Sequence, residues 1–522
     1  MSNNSRLNIA ILFIIIFAAA LRLFSISSIM LNESEAFAFA TASQPLETLF
    51  RIFINNGDKH LPVPFLYILI IKPLIYLGAS VSALRLLGVL LGVVSLVLVY
   101  IAAKKLAGSA AAVITALLLS ISPYFLIFSR SLSHHALLFF LIAFITWLFL
   151  KILEANFSPL LYIAYVVACF AAVLLYPPAA ILMIPFIIVF YLYARADITG
   201  RAVFTAINLV LLAGAAYWSL RWLPTVLKLG AMFSTLSETV DIRLLPAPHL
   251  YVFKFVEIYL KAFYAMSGLF CRDLSHPTAW HVIAFIPVLI FFHIAMFYGF
   301  KPNPNMVKER TILFLLLAFS VPVCVALSVI GVPAGEAVLP AVLFFVIIIA
   351  CGIVRNVRPV FRIALAATVL CMFIASVPDV YRRESARTDW HRITGFLQQN
   401  IRQDEAVVIL DGWLSPPYFY YADNELASRT YPLFPDFALR IVNDHRLQED
   451  IARPFRPVFD TPPAGAIGEL AEKYNRLWVV YKEKFPELNP RIEANSYWLE
   501  DNTATVGEKR FPHITLELVQ LK

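Results

Sequence analysis

The chain has 522 residues, of which 60% are apolar and 15% are charged, and its mean hydropathy is +0.76. Apolar runs of transmembrane length exclude a soluble globular protein and predict an α-helical polytopic membrane protein. The net charge of +8 arises in residues 1–378, which hold 24 basic and 12 acidic residues, whereas residues 379–522 hold 18 and 22. Because the excess lies in the membrane half, we expect no nucleic-acid partner.

In chain order, the apolar runs predict about eleven transmembrane helices. They lie near residues 7–25, 86–103, 106–128, 133–150, 159–176, 179–194, 202–220, 282–300, 311–330, 337–354 and 363–378. No small-residue cleavage site follows the first run, so we interpret it as a retained span. Pro177 and Pro178 separate two spans, since proline ends a helix. The shorter run at 61–71 favours a re-entrant or interfacial segment.

Basic residues set the predicted orientation. We place the N-terminus in the cytoplasm and assume that residues 61–83 do not span the membrane. The basic residues of the short loops then fall on the cytoplasmic side, apart from Arg130, which lies in a short outer loop. We therefore predict a transmembrane domain over residues 1–378 with outer juxtamembrane segments at 26–85 and 221–281. Residues 379–522 would form a soluble domain on the same outer face.

The pattern of apolar residues changes after residue 378. DWHRITGFLQQNI (389–401) has helical spacing, and EAVVIL (405–410), RLWVVY (476–481) and ITLELVQL (514–521) are typical of strands. SPPYFYY (415–421) is interpreted as a proline-rich turn. A region of this length is sufficient for a small α/β domain with its own core.

Several polar residues on the predicted outer face are candidates for chemistry. They are Glu33, Glu35, Lys59, His60, Arg130, His134, His135 and Glu336. A carboxylate can accept a proton or hold a cation, and a basic group can pair with a phosphate. Each also has a simpler interpretation: solvated loop acids, interfacial anchoring by Lys59 and His60, and capping or packing by the histidines.

Nucleotide and zinc motifs are missing from the sequence, which contains no P-loop, no glycine-rich fingerprint and no zinc-ligand spacing. This argues against a nucleotide-sugar donor, an ATP-driven pump or a zinc hydrolase. The long segment at 221–281 mixes charged and aromatic residues. It predicts either an amphipathic interfacial helix or a groove for a lipid chain, and both interpretations stay open.

Four segments of the first 150 residues carry a family resemblance. They are SEAFAFATASQPL (34–46), KHLPVPFLYIL (59–69), SALRLLGVLLGVVSLVLVYIAAKKLAG (82–108) and ISPYFLIFSRSLSHHALL (121–138). In order and spacing they resemble the GT-C glycosyltransferases, above all bacterial relatives of the dolichyl-phosphate-mannose protein mannosyltransferases and of the lipid A aminoarabinose transferase. The resemblance is looser at 338–353 and 389–410.

The resemblance implies a GT-C-like transferase in a bacterial inner membrane. It would move a sugar from a polyprenyl-phosphate donor to a glycan, lipid or protein acceptor at the outer face. By the same resemblance, Glu35 would be the general base, together with Glu33, or would help hold a divalent metal ion. A divalent metal ion is the one cofactor that the sequence leaves open. Lys59, His60 and Arg130 would bind the donor phosphate.

This sequence departs from the family pattern at three places. The family's Asp-Glu pair falls on Ser34 and Glu35, so Glu33 is the candidate replacement for the lost Asp. Ser131 and Ser133 stand where relatives carry an acid and an arginine, and Glu336 stands where many have arginine. The departures leave an alternative: a degenerate GT-C scaffold that binds lipid or a partner without transfer. A transporter is less favoured, because no inverted repeat is visible.

Overall fold

The computed structural model describes most of the membrane helices and of the C-terminal domain. It describes residues 3–217 apart from 48, 51–63, 155–157 and 195–199, and residues 290–522 apart from 291–292, 300–308, 310, 317–338, 356–358, 386, 411–413, 433–469, 471 and 482–497. The chain forms two compact units. The membrane unit contains Met1–Ser27, Pro64–Val226 and Val240–Arg383, and the C-terminal unit contains Ser28–Val63, Leu227–Thr239 and Glu384–Lys522.

The C-terminal unit therefore includes the segment after the first span, with both acids, as well as the region after residue 383. The boundaries expected from the sequence, 1–378 and 379–522, stay a prediction.

Apolar helices build the membrane unit. They are α1 (Asn3–Leu23), α3 (Phe65–Tyr76), α4 (Val81–Ala107), α5 (Ser109–Ile121), α6 (Pro123–Arg130), α7 (His135–Ile152), α8 (Pro159–Leu175), α9 (Met183–Tyr193), α10 (Gly200–Tyr217), α11 (Leu339–Arg355) and α12 (Pro359–Ser385). In the described part of the chain, four helices are long and apolar enough to cross a membrane, or five if one bent pair counts as a span. A polytopic helical membrane protein is confirmed, whereas the number eleven stays a prediction.

Local sequence explains where α4 begins and ends. The Ser80 hydroxyl accepts a hydrogen bond from the Ala83 N–H at 3.2 Å, which satisfies one of the free donors of the first turn. At the other end, Gly108 adopts φ of 87°, a conformation that costs glycine little and stops the helix. The chain then reverses directly into α5.

Prolines explain where several membrane helices break or end. The run at 106–128, expected as one helix, is divided at Ser122 into α5 and α6, which meet at a bend of 58°. Pro123 causes the break, since it opens α6 at a position that needs no N–H. At Pro177 the predicted break is confirmed: α8 ends at Leu175 and a 3₁₀ helix, Pro177–Leu182, leads into α9. By contrast, α12 continues through Pro378, where the sequence placed the end of the last span.

The C-terminal unit contains a five-stranded sheet. Its strands are β1 (Glu405–Ile409), β2 (Thr430–Pro432), β3 (Arg476–Tyr481), β4 (Thr503–Phe511) and β5 (Ile514–Leu521), in the order β2-β1-β3-β5-β4. β1 is parallel to β2 and β3, and β5 is antiparallel to β3 and β4. The α/β class and the strands β1, β3 and β5 are therefore confirmed, whereas β2 and β4 were not predicted.

Helices accompany the sheet: α2 (Glu33–Ser43), α13 (Trp390–Asn400), α14 (Ser415–Tyr421) and α15 (Asn424–Ser428). β1 is buried on both faces, with Val407 and Ile409 in one apolar cluster and Ala406 and Val408 in the other. The proline-rich turn predicted at SPPYFYY is wrong, because this stretch is α14. Its two prolines lie in the first turn of the helix, where no N–H is needed.

Candidate functional site

The two acids after the first span open a helix rather than lie in a loop. The Asn32 side chain accepts a hydrogen bond from the Glu35 N–H at 2.8 Å, and the Asn32 N–H donates to the Glu35 carboxylate at 3.2 Å. This reciprocal capping box fixes the start of α2 at Glu33. The loop expected from the sequence is therefore corrected to a helix N-terminus, where carboxylates are stabilised by the helix dipole.

Glu35 is buried in an ion pair. Its side chain is 1% exposed, and its Oε2 lies 2.5 Å from Nη1 of Arg387. The same Nη1 donates to the Met30 carbonyl oxygen at 2.8 Å. Glu33, in contrast, is half-buried, and Ser34 is exposed, with its hydroxyl donating to Asn32 Oδ1 at 2.9 Å. Of the two acids, Glu33 is thus the more accessible to a substrate.

Helix α14 packs against α2. The Leu31 N–H donates to the Tyr421 hydroxyl at 3.3 Å, and the rings of Phe39 and Tyr420 meet edge to face at 5.3 Å between centroids. Sequence reasoning missed both α14 and Arg387 as neighbours of the acids. No local signal identifies them, because Arg387 follows Glu35 by 352 positions.

Arg130 belongs to the membrane unit and is not a loop residue. It ends α6, is 1% exposed, and its Nη1 donates to the carbonyl oxygens of Leu21, Arg22 and Phe24 at 2.9, 2.8 and 2.7 Å. Its guanidinium carbon lies 4.7 Å from the ring centroid of Tyr381. The exposed outer loop expected from the sequence is therefore corrected to a buried helix end, and the phosphate-binding role stays a prediction.

Arg22 is a second buried arginine that the sequence analysis did not single out. Its Nη1 donates to the Ala18 and Ser120 carbonyl oxygens at 2.9 and 3.2 Å, and its guanidinium carbon lies 4.9 Å from the Phe125 ring centroid. Ser120 lies in the last turn of α5, where carbonyl groups lack helical partners. The arginine therefore stabilises the break between α5 and α6.

The two histidines pack against aromatic rings. His134 occupies the N-cap position of α7 but makes no side-chain capping bond. The ring of His135 lies 4.1 Å from that of His134 and 4.2 Å from that of Phe128, between centroids. The contacts observed for these histidines are with aromatic rings, and a chemical role for them stays a prediction.

The proposed metal has few donors in the part of the chain that the structure describes. No group of three His, Cys, Asp or Glu residues there could hold a metal ion, and the Glu35 carboxylate is bonded to Arg387. The divalent metal ion that the sequence left open therefore stays a prediction, and we derive no step from one. Lys59, His60, Glu336 and the segment 221–281 lie outside the described residues.

Comparisons with known proteins relate part of the chain to a family. Residues 60–219 match the family model described as dolichyl-phosphate-mannose-protein mannosyltransferase. No curated protein sequence matches the chain at a significant level.

Solved structures extend the similarity to nearly the whole chain. The oligosaccharyltransferase of Archaeoglobus fulgidus, tethered to an acceptor peptide that contains the NVT sequon, aligns with a TM-score of 0.53 and 13% identity, covering 96% of this chain and 72% of that one. The apo form of the same protein aligns with a TM-score of 0.50 and 13% identity, and the alignment covers 94% of this chain and 71% of that one. ArnT from Cupriavidus metallidurans bound to undecaprenyl phosphate gives 0.42 and 12%, covering 97% of each chain.

The alignment to the oligosaccharyltransferase covers both the helical membrane unit and the small C-terminal sheet. Over residues 60–219 the chain resembles the dolichyl-phosphate-mannose-protein mannosyltransferases, and nearly its whole length shares the fold of the Archaeoglobus fulgidus oligosaccharyltransferase.

Proposed function

We propose that the chain is an integral-membrane glycosyltransferase that moves a sugar from a polyprenyl-phosphate donor to a glycan, lipid or protein acceptor. The reaction would take place at the outer face of a bacterial plasma membrane. The match to a family named for a dolichyl-phosphate-mannose donor supports a lipid-linked donor. The observation that carries the proposal is the N-terminus of α2, which presents an accessible acid directly after the first apolar helix.

The transfer needs a base at this position. A bond forms between the acceptor oxygen and the sugar carbon as the bond from that carbon to the phosphate oxygen breaks, and the acceptor hydroxyl loses its proton. Glu33 is half-buried at the first position of α2 and takes this proton in our proposal. The sequence analysis assigned the base first to Glu35, but a carboxylate that is 1% exposed and bonded to Arg387 is poorly placed to reach an acceptor.

The leaving polyprenyl phosphate needs positive charge. We assign this role to Lys59 and His60, with Arg130 as a weaker candidate because its Nη1 already bonds three carbonyl oxygens. Replacing Lys59 or His60 by alanine should weaken binding of polyprenyl phosphate by roughly tenfold to a hundredfold, the effect of losing a charge-assisted contact. Unchanged affinity in both variants contradicts the assignment.

The overall proposal is tested in cells that lack the gene. Mass spectrometry of their lipids should show a lipid-linked sugar that accumulates, and the wild-type gene should remove it. Glu33→Gln should fail to remove it, because the amide cannot accept the proton, whereas Glu47→Gln, an exposed acid of the same segment, should restore it. Identical lipid-linked sugars in the deletion and wild-type strains would argue against the function.

One observation favours a second candidate, a scaffold that binds lipid without transfer. Ser34 occupies the place of the family's Asp, and its hydroxyl takes part in the cap of α2. An in vitro transfer assay on Ser34→Asp separates the two functions. Transfer by Ser34→Asp but not by the wild type indicates a degenerate scaffold, and transfer by the wild type excludes it.

A further inference from the structure

Arg387 binds the acidic segment at two points, one on each side of the helix cap. Its Nη1 contacts the Met30 carbonyl oxygen at 2.8 Å, before Asn32, and the Glu35 carboxylate at 2.5 Å, after it. Both partners belong to the C-terminal unit, as does Arg387 itself. A single amino group thus joins the two ends of the stretch 30–35, which contains Glu33.

The contact is coupled to the cap itself. The Glu35 oxygen that accepts from Arg387, Oε2, also accepts the hydrogen bond from the Asn32 N–H at 3.2 Å. Asn32 in turn accepts from the Glu35 N–H at 2.8 Å. Any shift of the arginine therefore moves an atom on which the first turn of α2 depends.

We propose that Arg387 is a positioning residue for sugar transfer. It holds Glu35, and through Glu35 the first turn of α2, so that Glu33 faces the acceptor in one fixed orientation. This inference rests on the proposed function for its chemistry, but the contact that it invokes can be measured without any substrate.

Burial explains why the arginine is needed. Glu35 is 1% exposed and the Arg387 side chain is 14% exposed, so a carboxylate without this partner would be a buried charge with little access to water. The segment would then move to expose Glu35. The body of α2 has separate support from the ring of Tyr420 against that of Phe39, so the first turn moves and the rest of the helix stays.

The test uses the full-length protein in a cysteine-free background with a reporter at Ala36→Cys. Ala36 is 2% exposed in α2, so a thiol there should react slowly with a maleimide. Arg387→Gln should raise the labelling rate about tenfold or more, since it opens the first turn. Arg387→Lys should restore slow labelling, because one ammonium group can reach both partners of Nη1. Arg429→Gln, at an exposed ion pair, is the matched control and should change nothing.

Slow labelling in Arg387→Gln overturns the inference. The second measurement is transfer from lipid-linked sugar extracted from the deletion strain. Arg387→Gln should lower kcat roughly tenfold to a hundredfold, the scale of a misplaced catalytic group, with the donor KM little changed and with rescue by lysine. Faster labelling with an unchanged kcat overturns the positioning role and leaves the proposed function intact. Wild-type protein without transfer overturns the proposed function and the positioning role with it, even if labelling is faster.

Discussion

Nη1 of Arg130 donates to the carbonyl oxygen of Arg22 at 2.8 Å, and Arg22 in turn donates to Ser120 in the last turn of α5. The two arginines thus link the carboxyl ends of α1 and α5 within the membrane unit. Buried cations are costly in a low-dielectric interior, but the carboxyl end of a helix carries partial negative charge. These carbonyl groups therefore provide the compensation that a carboxylate would otherwise supply.

This relationship makes Arg130 important for stability. Arg130→Met removes a donor from the carbonyl oxygens of Arg22 and Phe24, whereas that of Leu21 keeps the Tyr381 hydroxyl, and should destabilise the protein by about 2–3 kcal/mol. Thermal unfolding in detergent measures the loss, with Lys104→Met, an exposed cation of α4, as the control. If Arg130→Met unfolds like the wild type but no longer binds polyprenyl phosphate, the phosphate role expected from the sequence is the better account.

Gly92 allows α4 to approach α6 closely. A methyl group at Gly92 would lie 2.7 Å from Cβ of Ser129 and 3.2 Å from Nε of Arg22, so one of the helices must shift. We expect Gly92→Ala to destabilise the protein by about 1–3 kcal/mol through overpacking. Gly214→Ala, in α10 with open space around it, should be neutral or stabilising, since alanine favours a helix. Equal unfolding temperatures for the two variants would contradict this packing.

Glu405 joins strands of the C-terminal sheet. It is 1% exposed, and its Oε2 accepts from the Trp478 indole N–H at 3.1 Å and from the Arg402 N–H at 3.0 Å. Glu405→Ala leaves the buried indole N–H of Trp478 without its acceptor and should cost about 1–3 kcal/mol. Hydrogen exchange of the β1 and β3 amides in the full-length protein should accelerate accordingly. Glu425→Ala breaks an exposed ion pair and should change exchange little; protection of β1 that is equal in both variants would refute the role of Glu405.

The predicted orientation is tested by cysteine labelling in intact cells. Single cysteines at Ser43 and Ser428 should react with an impermeant thiol reagent from outside, and a cysteine at Ser109 should react only after the membrane is permeabilised. The physical reason is the bias of basic residues toward the cytoplasm. If the cysteine at position 109 is labelled from outside and the one at 428 is protected, the predicted orientation is wrong and the site does not lie on the outer face.

Much of the fold could be predicted because it depends on local apolar patterns. Long apolar runs can be stable as helices in a membrane, and this identified α1, α4, α7 and α8. The strands β1, β3 and β5 were predicted because their residues are β-branched or aromatic and mostly buried. β4 was missed because it lies at the sheet edge and exposes Glu508, Lys509 and Arg510, which are uncommon in strands.

The errors arose where a residue type has two structural uses. Pro416 and Pro417 suggested a turn, but proline also suits the first turn of a helix. Arg130 suggested an exposed phosphate ligand, but arginine also satisfies buried carbonyl groups. In the site itself, the acids could be predicted from the family pattern, whereas the burial of Glu35 could not. It depends on a partner that only the folded chain brings near.

The distance along the sequence between Glu35 and its cation has a consequence for how the protein is made. At about 5–20 residues per second, the ribosome adds Arg387 roughly 20–70 s after Glu35. During that interval the first helices can insert while the acidic segment lacks its final partner. A chain that ends before residue 387 would keep the described membrane helices, but Glu35 would lack its ion-pair partner. The first turn of α2 would therefore take its final form only after the described membrane helices have been synthesised.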